Sequence, residues 1–435
     1  MSDVALVYPY VYRHAANALL FYPAGIAQLG TLLRSAGLEV SVIDLTFRNL
    51  EDALRDLESS RPKIVGIYAA MTMVDNARTL ARRLRRSMPN AVLACGGPMP
   101  AVRPRQFLAD FDLVFRGEAL ASFPRFCHDL LESGSLRDVL AHPGRYPGIS
   151  HAGRDQSAWT PPAPSGKDFL DSLPAPDLKD FDHSRYQRFW KDRSDYSPAC
   201  IMTTYGCPYD CEFCSKPIFG SRFRARSMGS ILREIRAIRS KGYDGLWVAD
   251  DCFTLSPPHV RRFCRLLERE GLEMTWTCLS RAQEMLAKDI QLMKRAGCRR
   301  VYFGLESGSD EVLGLMNKRI TAAEAARTVE LFAREGIETA GFFMIGYPGE
   351  TRETIETTLR WALSLPLDDI SFTVPVPLPG TRLFERVQGV RPDVDWTYEN
   401  ENRVIYCSEF PEEYLQGRIH DTLERFRARK RQMSG

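Results

Sequence analysis

No stretch of this sequence is apolar for long enough to cross a bilayer. The most apolar window, residues 18–33, is interrupted by Pro23, Gly25, Gln28 and Gly30, and a spanning helix needs about 20 apolar residues in a row. The first residues, MSDVALVYPYVYRH, contain no basic stretch leading into an apolar run, so no secretory signal is expected and the chain reads as cytoplasmic. Charge of neither sign is in excess: 58 Lys and Arg stand against 55 Asp and Glu, a net +3. That balance gives no reason to expect a nucleic-acid or membrane-surface partner. A disulfide framework is missing as well. The 11 cysteines are odd in number and most stand alone in apolar segments. In a reducing compartment such cysteines are small buried hydrophobes, and Cys95, Cys127, Cys264, Cys278 and Cys298 fit that account. No internal repeat at solenoid spacing is present.

What is there is strand–helix alternation, in 435 residues that suffice for two domains with their own cores. Residues 1–140 set apolar runs at Val4–Pro9, Glu39–Leu45, Lys63–Tyr68, Ala91–Gly97 and Asp112–Arg116 between amphipathic stretches near 24–36, 50–60, 73–88 and 120–133. Strands apolar throughout imply a parallel sheet covered on both faces, so the class is α/β and this half is a five-stranded doubly wound domain. Residues 141–195 are rich in Pro, Gly and Ser and read as a linker region, with room for a small hairpin. From 196 to 385 alternation resumes, with strands at Ala199–Tyr205, Gly245–Asp250, Met274–Ser280, Arg300–Glu306, Thr339–Gly346 and Ile370–Pro375. Six consecutive βα units predict a partial (βα)6 TIM-like barrel, with its chemistry on the loops after the strands. Residues 386–435 are left as a short helical extension whose basic end is a solvated face.

One group of cysteines does not stand alone. TTYGCPYDCEFCSKP places Cys207, Cys211 and Cys214 at C-x3-C-x2-C spacing directly after the first barrel strand. Three thiolates on one loop suit three irons of a cubane Fe–S cluster and leave the fourth iron open for substrate chemistry. Structural zinc wants a closed set of four ligands, and neither His nor Cys follows at finger-like spacing; Cys200 and Cys252 are too isolated.

With these residues the sequence resembles the radical S-adenosylmethionine superfamily over nearly its whole length. Phe213 matches the aromatic residue usual before the third cysteine, and GLWVADDCFT, WTCLSR, VYFGLESGSDEVL, GFFMIGYPGET and PVPLPGT follow in order at the ends of later strands. The resemblance implies that S-adenosylmethionine chelates the open iron and is reductively cleaved to a 5′-deoxyadenosyl radical. It also implies a flavodoxin- or ferredoxin-type electron donor and a monomeric enzyme. For the cofactor's charged groups, Asp250 and Asp251 can accept hydrogen bonds from the amino group or ribose, and Arg281 can hold the carboxylate. Glu306 stands among Gly304, Ser307 and Gly308, where backbone can approach a ligand, and Gly346 and Gly349 around Pro348 offer main-chain groups to the adenine. Each also has a purely structural alternative: the aspartates can cap the next turn, and Arg281 can pair with an acid.

The first half carries AVLACGGPMP at its fourth strand end, and adjacent glycines let a flat ligand lie against backbone. Together with YPAGIAQLGTLLRSAGLEVSVIDL, YAAMTM and DLVFRGEA, it resembles the Rossmann-like cobalamin-binding domain that precedes the barrel in one branch of that superfamily. The resemblance assigns Met71, Thr72, Gly96, Gly97, Pro98, Gly117 and Glu118 to cobalamin. The loop after the first strand lacks the Asp-x-His-x-x-Gly motif, and His14 has neither flanking residue at the required offset, so the lower axial position is expected to hold water or nothing. The cofactors implied are therefore a [4Fe-4S] cluster, S-adenosylmethionine and cobalamin. The reaction expected is methylation of an unactivated carbon of a small metabolite. Alternatives are oxidative ring formation or rearrangement, adenosyl-radical chemistry with a cobalamin-free first domain, and, more remotely, a non-catalytic Fe–S sensor.

Overall fold

The computed structural model describes residues 2–13, 19–151, 165–216, 218–387, 389 and 404–434. The chain forms two compact units, one of Met1–Ile201 with Lys216–Tyr243 and one of Met202–Ser215 with Asp244–Gly435.

In the first unit the sequence VALVY forms β1 (Val4–Tyr8), followed by β2 (Val40–Asp44), β3 (Ile64–Tyr68), β4 (Val92–Gly96), β5 (Leu113–Phe115) and β6 (Ile149–His151). The sheet order is β2-β1-β3-β4-β5-β6. The first five strands pair in parallel, and β6 joins antiparallel to β5. The five parallel strands are those expected. The sixth comes from the region read as a linker, so the Pro- and Gly-rich composition there conceals an edge strand. Its entry turn needs Gly148 at φ +89, where an added Cβ would lie 2.2 Å from the Arg116 carbonyl oxygen.

Apolar strand runs bury both faces because helices cover both, as parallel sheets require. Val4, Leu6, Ile64, Ala94 and Leu113 pack with Phe123, Phe126 and Leu130 of the helix Ser122–Ser133. The helix Leu50–Ser60 starts at a capping box between Asn49 and Asp52, which satisfies two backbone donors that the helix itself cannot.

The helix His183–Lys191, also within the presumed linker, belongs to this unit. Tyr186 donates its hydroxyl hydrogen to Asp44 Oδ2 at 2.7 Å, and Trp190 Nε1 donates to the Leu20 carbonyl at 2.7 Å. Tyr186 therefore covers the carboxyl end of β2.

Three short strands follow, β7 (Pro198–Ile201), β8 (Thr204–Tyr205) and β9 (Arg224–Ala225). The second unit then adds β10 (Gly245–Val248), β11 (Thr275–Arg281), β12 (Cys298–Glu306), β13 (Glu338–Met344) and β14 (Asp369–Thr373). These five run parallel in the order β14-β13-β12-β11-β10. Helices Pro257–Arg269, Ala287–Arg295, Ala322–Arg334 and Arg352–Ser364 connect them. These are the last five of the six strands that the alternation predicts; the first, expected over Ala199–Tyr205, is divided into the short strands β7 and β8. Beyond β14 lie the helices Arg382–Arg386 and Glu412–Ser434. Among the described residues no helix is long and apolar enough to cross a membrane.

The adjacent glycines at the end of β4 differ in what they permit. Gly97 sits at φ +112 with a hypothetical Cβ 2.8 Å from the Ala69 carbonyl oxygen, whereas a Cβ on Gly96 meets nothing nearer than 3.8 Å. Gly97→Ala is expected to lower unfolding free energy by about 1–3 kcal/mol, and Gly96→Ala by less than about 0.5 kcal/mol. Urea denaturation of the two variants would show equal losses if this backbone reading were wrong.

Candidate active site at the strand ends of the second unit

Gly206, at φ +79, turns the chain out of β8 into the loop that holds the three cysteines. Cys207 and Cys211 are half-buried and Cys214 is exposed. The loop has almost no regular structure of its own, so its shape is imposed by neighbours. Glu212, between the second and third cysteines, is held on all sides. Its amide donates to the Met316 carbonyl at 3.0 Å, its carbonyl accepts from the Leu383 amide at 3.1 Å, and its carboxylate accepts from the Tyr347 hydroxyl at 2.6 Å and pairs with Arg386 at 2.9 Å. The Asp210 carbonyl accepts from Asn317 Nδ2 and from Arg382, both at 2.6 Å. Phe213 packs against Val312, Met316, Met344, Tyr347 and Leu383. Its ring is thus fixed beside the loop.

Asp250 takes a different part from the ligand contact expected of it. It is fully buried, and all its acceptor capacity is spent inside the protein. Oδ1 accepts from the amides of Thr203 (2.6 Å) and Thr204 (3.0 Å), and Oδ2 from their hydroxyls (2.5 and 2.8 Å). Burial pushes its carboxyl up to about 6 against the pull of those four donors. Asp250 therefore anchors the segment that feeds Cys207. Asp251, next along, is exposed. Thr203 also meets His259 Nε2 at 2.9 Å. Since the threonine hydrogen goes to Asp250, Nε2 carries the imidazole proton and donates it.

Arg281, at the end of β11, lies against the loop: Nη1 is 3.7 Å from Cys211 Sγ, and the guanidinium sits 4.1 Å above the Tyr209 ring. Nη2 is buried without a hydrogen-bond partner, and among the described residues no carboxylate pairs with this arginine. The acid-pairing alternative is thereby removed. A buried guanidinium lacking an anion is costly unless a ligand supplies one. Three thiols on an anchored loop, beside a cation with an unused donor, fit a thiolate-held cluster with an anionic ligand next to it. Cys252, by contrast, is a buried thiol that burial pushes up to about 11.

Glu306 ends β12 at φ +65, inside the left-handed region, where the register slips by one residue against β13. A non-glycine residue there is strained, and such strain gathers at functional sites. Its Oε1 accepts from Lys318 Nζ at 2.7 Å in a largely buried pair, and Lys318 Nζ lies 5.9 Å from the Phe213 ring centroid. A Cβ on Gly304 would come within 2.7 Å of Glu306 Oε1 and 3.0 Å of Lys318 Nζ, so a side chain there would make the pair shift. Lys318 was not singled out by sequence. It lies twelve residues past Glu306, behind a short helix and between two left-handed residues, Asn317 and Arg319, and no periodicity links the two.

The Gly346–Pro348 turn is bonded from within, so its amides at Gly346 and Tyr347 are taken before any adenine could use them. The amides of Gly346 and Tyr347 donate to Glu350 Oε2 at 2.7 and 2.8 Å, the Gly346 carbonyl accepts from the Tyr406 hydroxyl at 2.8 Å, and the Pro348 carbonyl accepts from Arg386 at 3.0 Å. Glu350 was missed by sequence. Burial pushes its carboxyl up to about 7, and its Oε1 has no partner.

In the first unit, Met71 and Thr72 lie on the single turn Met71–Met73 after β3, and Gly96, Gly97 and Pro98 on the turn after β4. The Ala69 amide donates to the Gly96 carbonyl at 2.8 Å, and the Met99 amide to the Ala69 carbonyl at 3.2 Å. Stitched together, the two turns make a backbone shelf with no side chain at Gly96 or Gly97, which fits a flat macrocycle. Gly117 follows at φ +71. Glu118 departs from expectation: it is buried in an ion pair with Arg224 at 2.5 Å and accepts from the Ser165 amide at 3.1 Å, which commits it to the fold. His14 lies outside the described residues.

Two expected outcomes test the anchor. Asp250→Asn turns an amide NH2 toward amide or hydroxyl donors and should cost roughly 2–4 kcal/mol, with iron content falling alongside; a variant of parental stability and iron content would dismiss the anchor. Burial and the Arg262 charge push His259 down to about 4 from the ordinary 6.5. Between those values the unfolded chain binds a proton that the folded chain does not, so His259 makes stability fall as pH drops from 6.5 to 4. Asp250 acts in the opposite sense below about 6. His259→Gln, which keeps a donor for Thr203, should flatten the parent's loss of stability in that window; unchanged slopes in urea titrations would count against it.

Comparison with known proteins agrees with the geometry. Residues 201–362 match the radical SAM superfamily and residues 15–126 the B12 binding domain. An uncharacterized methyltransferase of Pyrococcus horikoshii is 30% identical over 374 residues, covering 83% of this chain and 78% of that protein. The hopanoid C-3 methylase of Methylococcus capsulatus is 27% identical over 388 residues, covering 87% of this chain and 71% of that protein. The fold matches that of TsrM from Kitasatospora setae, a radical S-adenosylmethionine methyltransferase solved with cobalamin and a [4Fe-4S] cluster. The TM-score is 0.72 at 21% identity, covering 88% of this chain and 74% of that one. With an open three-thiol loop after a B12-type sheet, and with relatives of this extent, the chain belongs to the radical S-adenosylmethionine superfamily, in the branch that carries a B12-binding domain ahead of the radical domain.

Proposed function

We propose that this chain methylates an unactivated carbon of a small organic molecule. The observation that carries the reading is the joining of two built sites in one chain: the thiol loop with the unmatched Arg281, and the glycine shelf at the ends of β3 and β4. The names of the relatives, a methyltransferase and a carbon methylase, support it. Bound in these sites, a [4Fe-4S] cluster would supply the electron that cleaves S-adenosylmethionine, and cobalamin would carry the methyl group.

The chain's own part is holding, orienting and drying. Cys207, Cys211 and Cys214 would hold three irons, and the Tyr347, Arg386 and Met316 contacts to Glu212 would keep the loop from closing over the fourth. Arg281 Nη2 is the donor free to take a carboxylate. Lys318 engages Glu306 Oε1, and among the described residues nothing donates to Oε2, which leaves it for a ribose hydroxyl or an ammonium. Phe213 would exclude water on the other side. Met71, Thr72 and the shelf glycines would seat the macrocycle. A one-electron donor of flavodoxin or ferredoxin type, a monomeric state and a cytoplasmic location complete the reading.

The experiment is anaerobic purification from cells given cobalamin, with the visible spectrum, iron and sulfide measured together. The expected result is near-stoichiometric cobalamin and about four irons per chain, the iron count of the cubane cluster. Replacing any one of Cys207, Cys211 or Cys214 with Ala should remove the iron, and with it 5′-deoxyadenosine formation, while cobalamin stays. Iron retained in all three variants would sink the loop assignment, and absent cobalamin beside an intact cluster would sink methyl transfer.

A further inference from the structure

Below the charged groups at its carboxyl ends, the inner face of the second sheet carries a row of aromatic rings that the cofactor reading does not use. Trp247 on β10 and Tyr302 on β12 have centroids 5.2 Å apart, and Tyr302 lies nearly parallel to Phe342 of β13, 17° between planes and 5.7 Å between centroids. Their sequence neighbours Val301, Phe303 and Phe343 point the other way and are buried. Phe342 does not behave as core. It is 37% exposed and, among the described residues, the one large exposed hydrophobe that lies in a strand.

The row is continuous with the site above it. Phe342 is the direct register partner of Gly304, whose missing side chain makes room for the Glu306–Lys318 pair. On its other side Phe342 pairs with Ser371, whose side chain is exposed on β14. Below the row, Arg300 pairs with Glu338 at 2.7 Å and reaches Asp369 at 3.9 Å, closing the amino end of the face with charge. The sheet thus stacks three layers: an ion-paired floor, an aromatic band with a hydroxyl beside it, and the charged groups beside the thiol loop.

We infer that this band is the substrate platform, and that the substrate presents a flat, conjugated ring system with a polar substituent. The inference rests on the active site lying at these strand ends. Two near-parallel rings, one of them 37% exposed, can extend to a third by offset stacking. A saturated skeleton of equal size would gain only burial there, not ring–ring attraction. The band's edge offers Ser371 to a hydroxyl or carbonyl on the ring.

The test uses the reconstituted full chain with S-adenosylmethionine bound, and two probes of matched size, 2-naphthol and decahydro-2-naphthol. Naphthol is expected to bind about tenfold more tightly, the order of one or two stacked pairs. Phe342→Leu keeps an apolar side chain at a half-exposed position but removes the ring, so it should erase most of that preference; Trp247→Leu, with a normal iron content as its folding control, should do so in part. Equal binding of the two probes, or a preference untouched in both variants, overturns the platform. Reductive formation of 5′-deoxyadenosine by the parent separates this from the reading beneath it. If the parent cleaves the cofactor and the ring preference is missing, the platform alone fails; if it cleaves nothing, the active-site reading fails and the platform with it.

Discussion

Everything at this site depends on how a loop without secondary structure is held still, and the main constraint is one buried carboxylate. Asp250 accepts four hydrogen bonds from two consecutive threonines, a saturation that lets an anion stay in the interior without a cationic partner. The cost of moving any one donor is the exposure of a buried charge, so Thr203 and Thr204 have one position. Gly206 and Cys207 start from that fixed point. The far side of the loop is tied by Glu212 to Tyr347 and Arg386. An Fe–S loop needs such external bracing, because three thiolates must meet one cubane and the chain between them cannot set its own geometry.

The same economy governs the charged groups. Arg281 is placed by stacking on Tyr209 and by its approach to Cys211, and one donor is left without a partner. Glu306 holds a strained backbone angle, and Lys318 neutralises it from a turn outside the strands. Both arrangements are unfavourable as pieces of fold alone. Strain and unpaired charge of this kind gather at functional sites.

Some groups flagged in the sequence are spent on the fold. Glu118 closes a buried pair with Arg224, and the Gly346 turn satisfies its own amides on Glu350. A carboxylate at a strand end and a glycine turn look alike in sequence whether they face a ligand or a neighbouring loop. The difference lies in whether another segment supplies the partner. Arg224, Glu350 and Thr203 are those segments here, and the distances in sequence range from 4 residues for Gly346 to Glu350, through 47 for Thr203 to Asp250, to 106 for Glu118 to Arg224.

The sequence by itself determined the two-part α/β plan, the parallel strands and the cysteine trio. Local apolar periodicity and a C-x3-C-x2-C spacing are properties of short segments, and parallel sheets read them out directly. It also contained β6 and the helix His183–Lys191, hidden because Pro- and Gly-rich flanks mask a three-residue edge strand. Tertiary structure alone decided which charges are anchors and which are free. Asp250 became a brace, Lys318 became the partner of Glu306, and Phe342 was left exposed beside them. Those outcomes depend on pairing between elements far apart in the chain, and a residue's type does not say which partner the fold will bring to it.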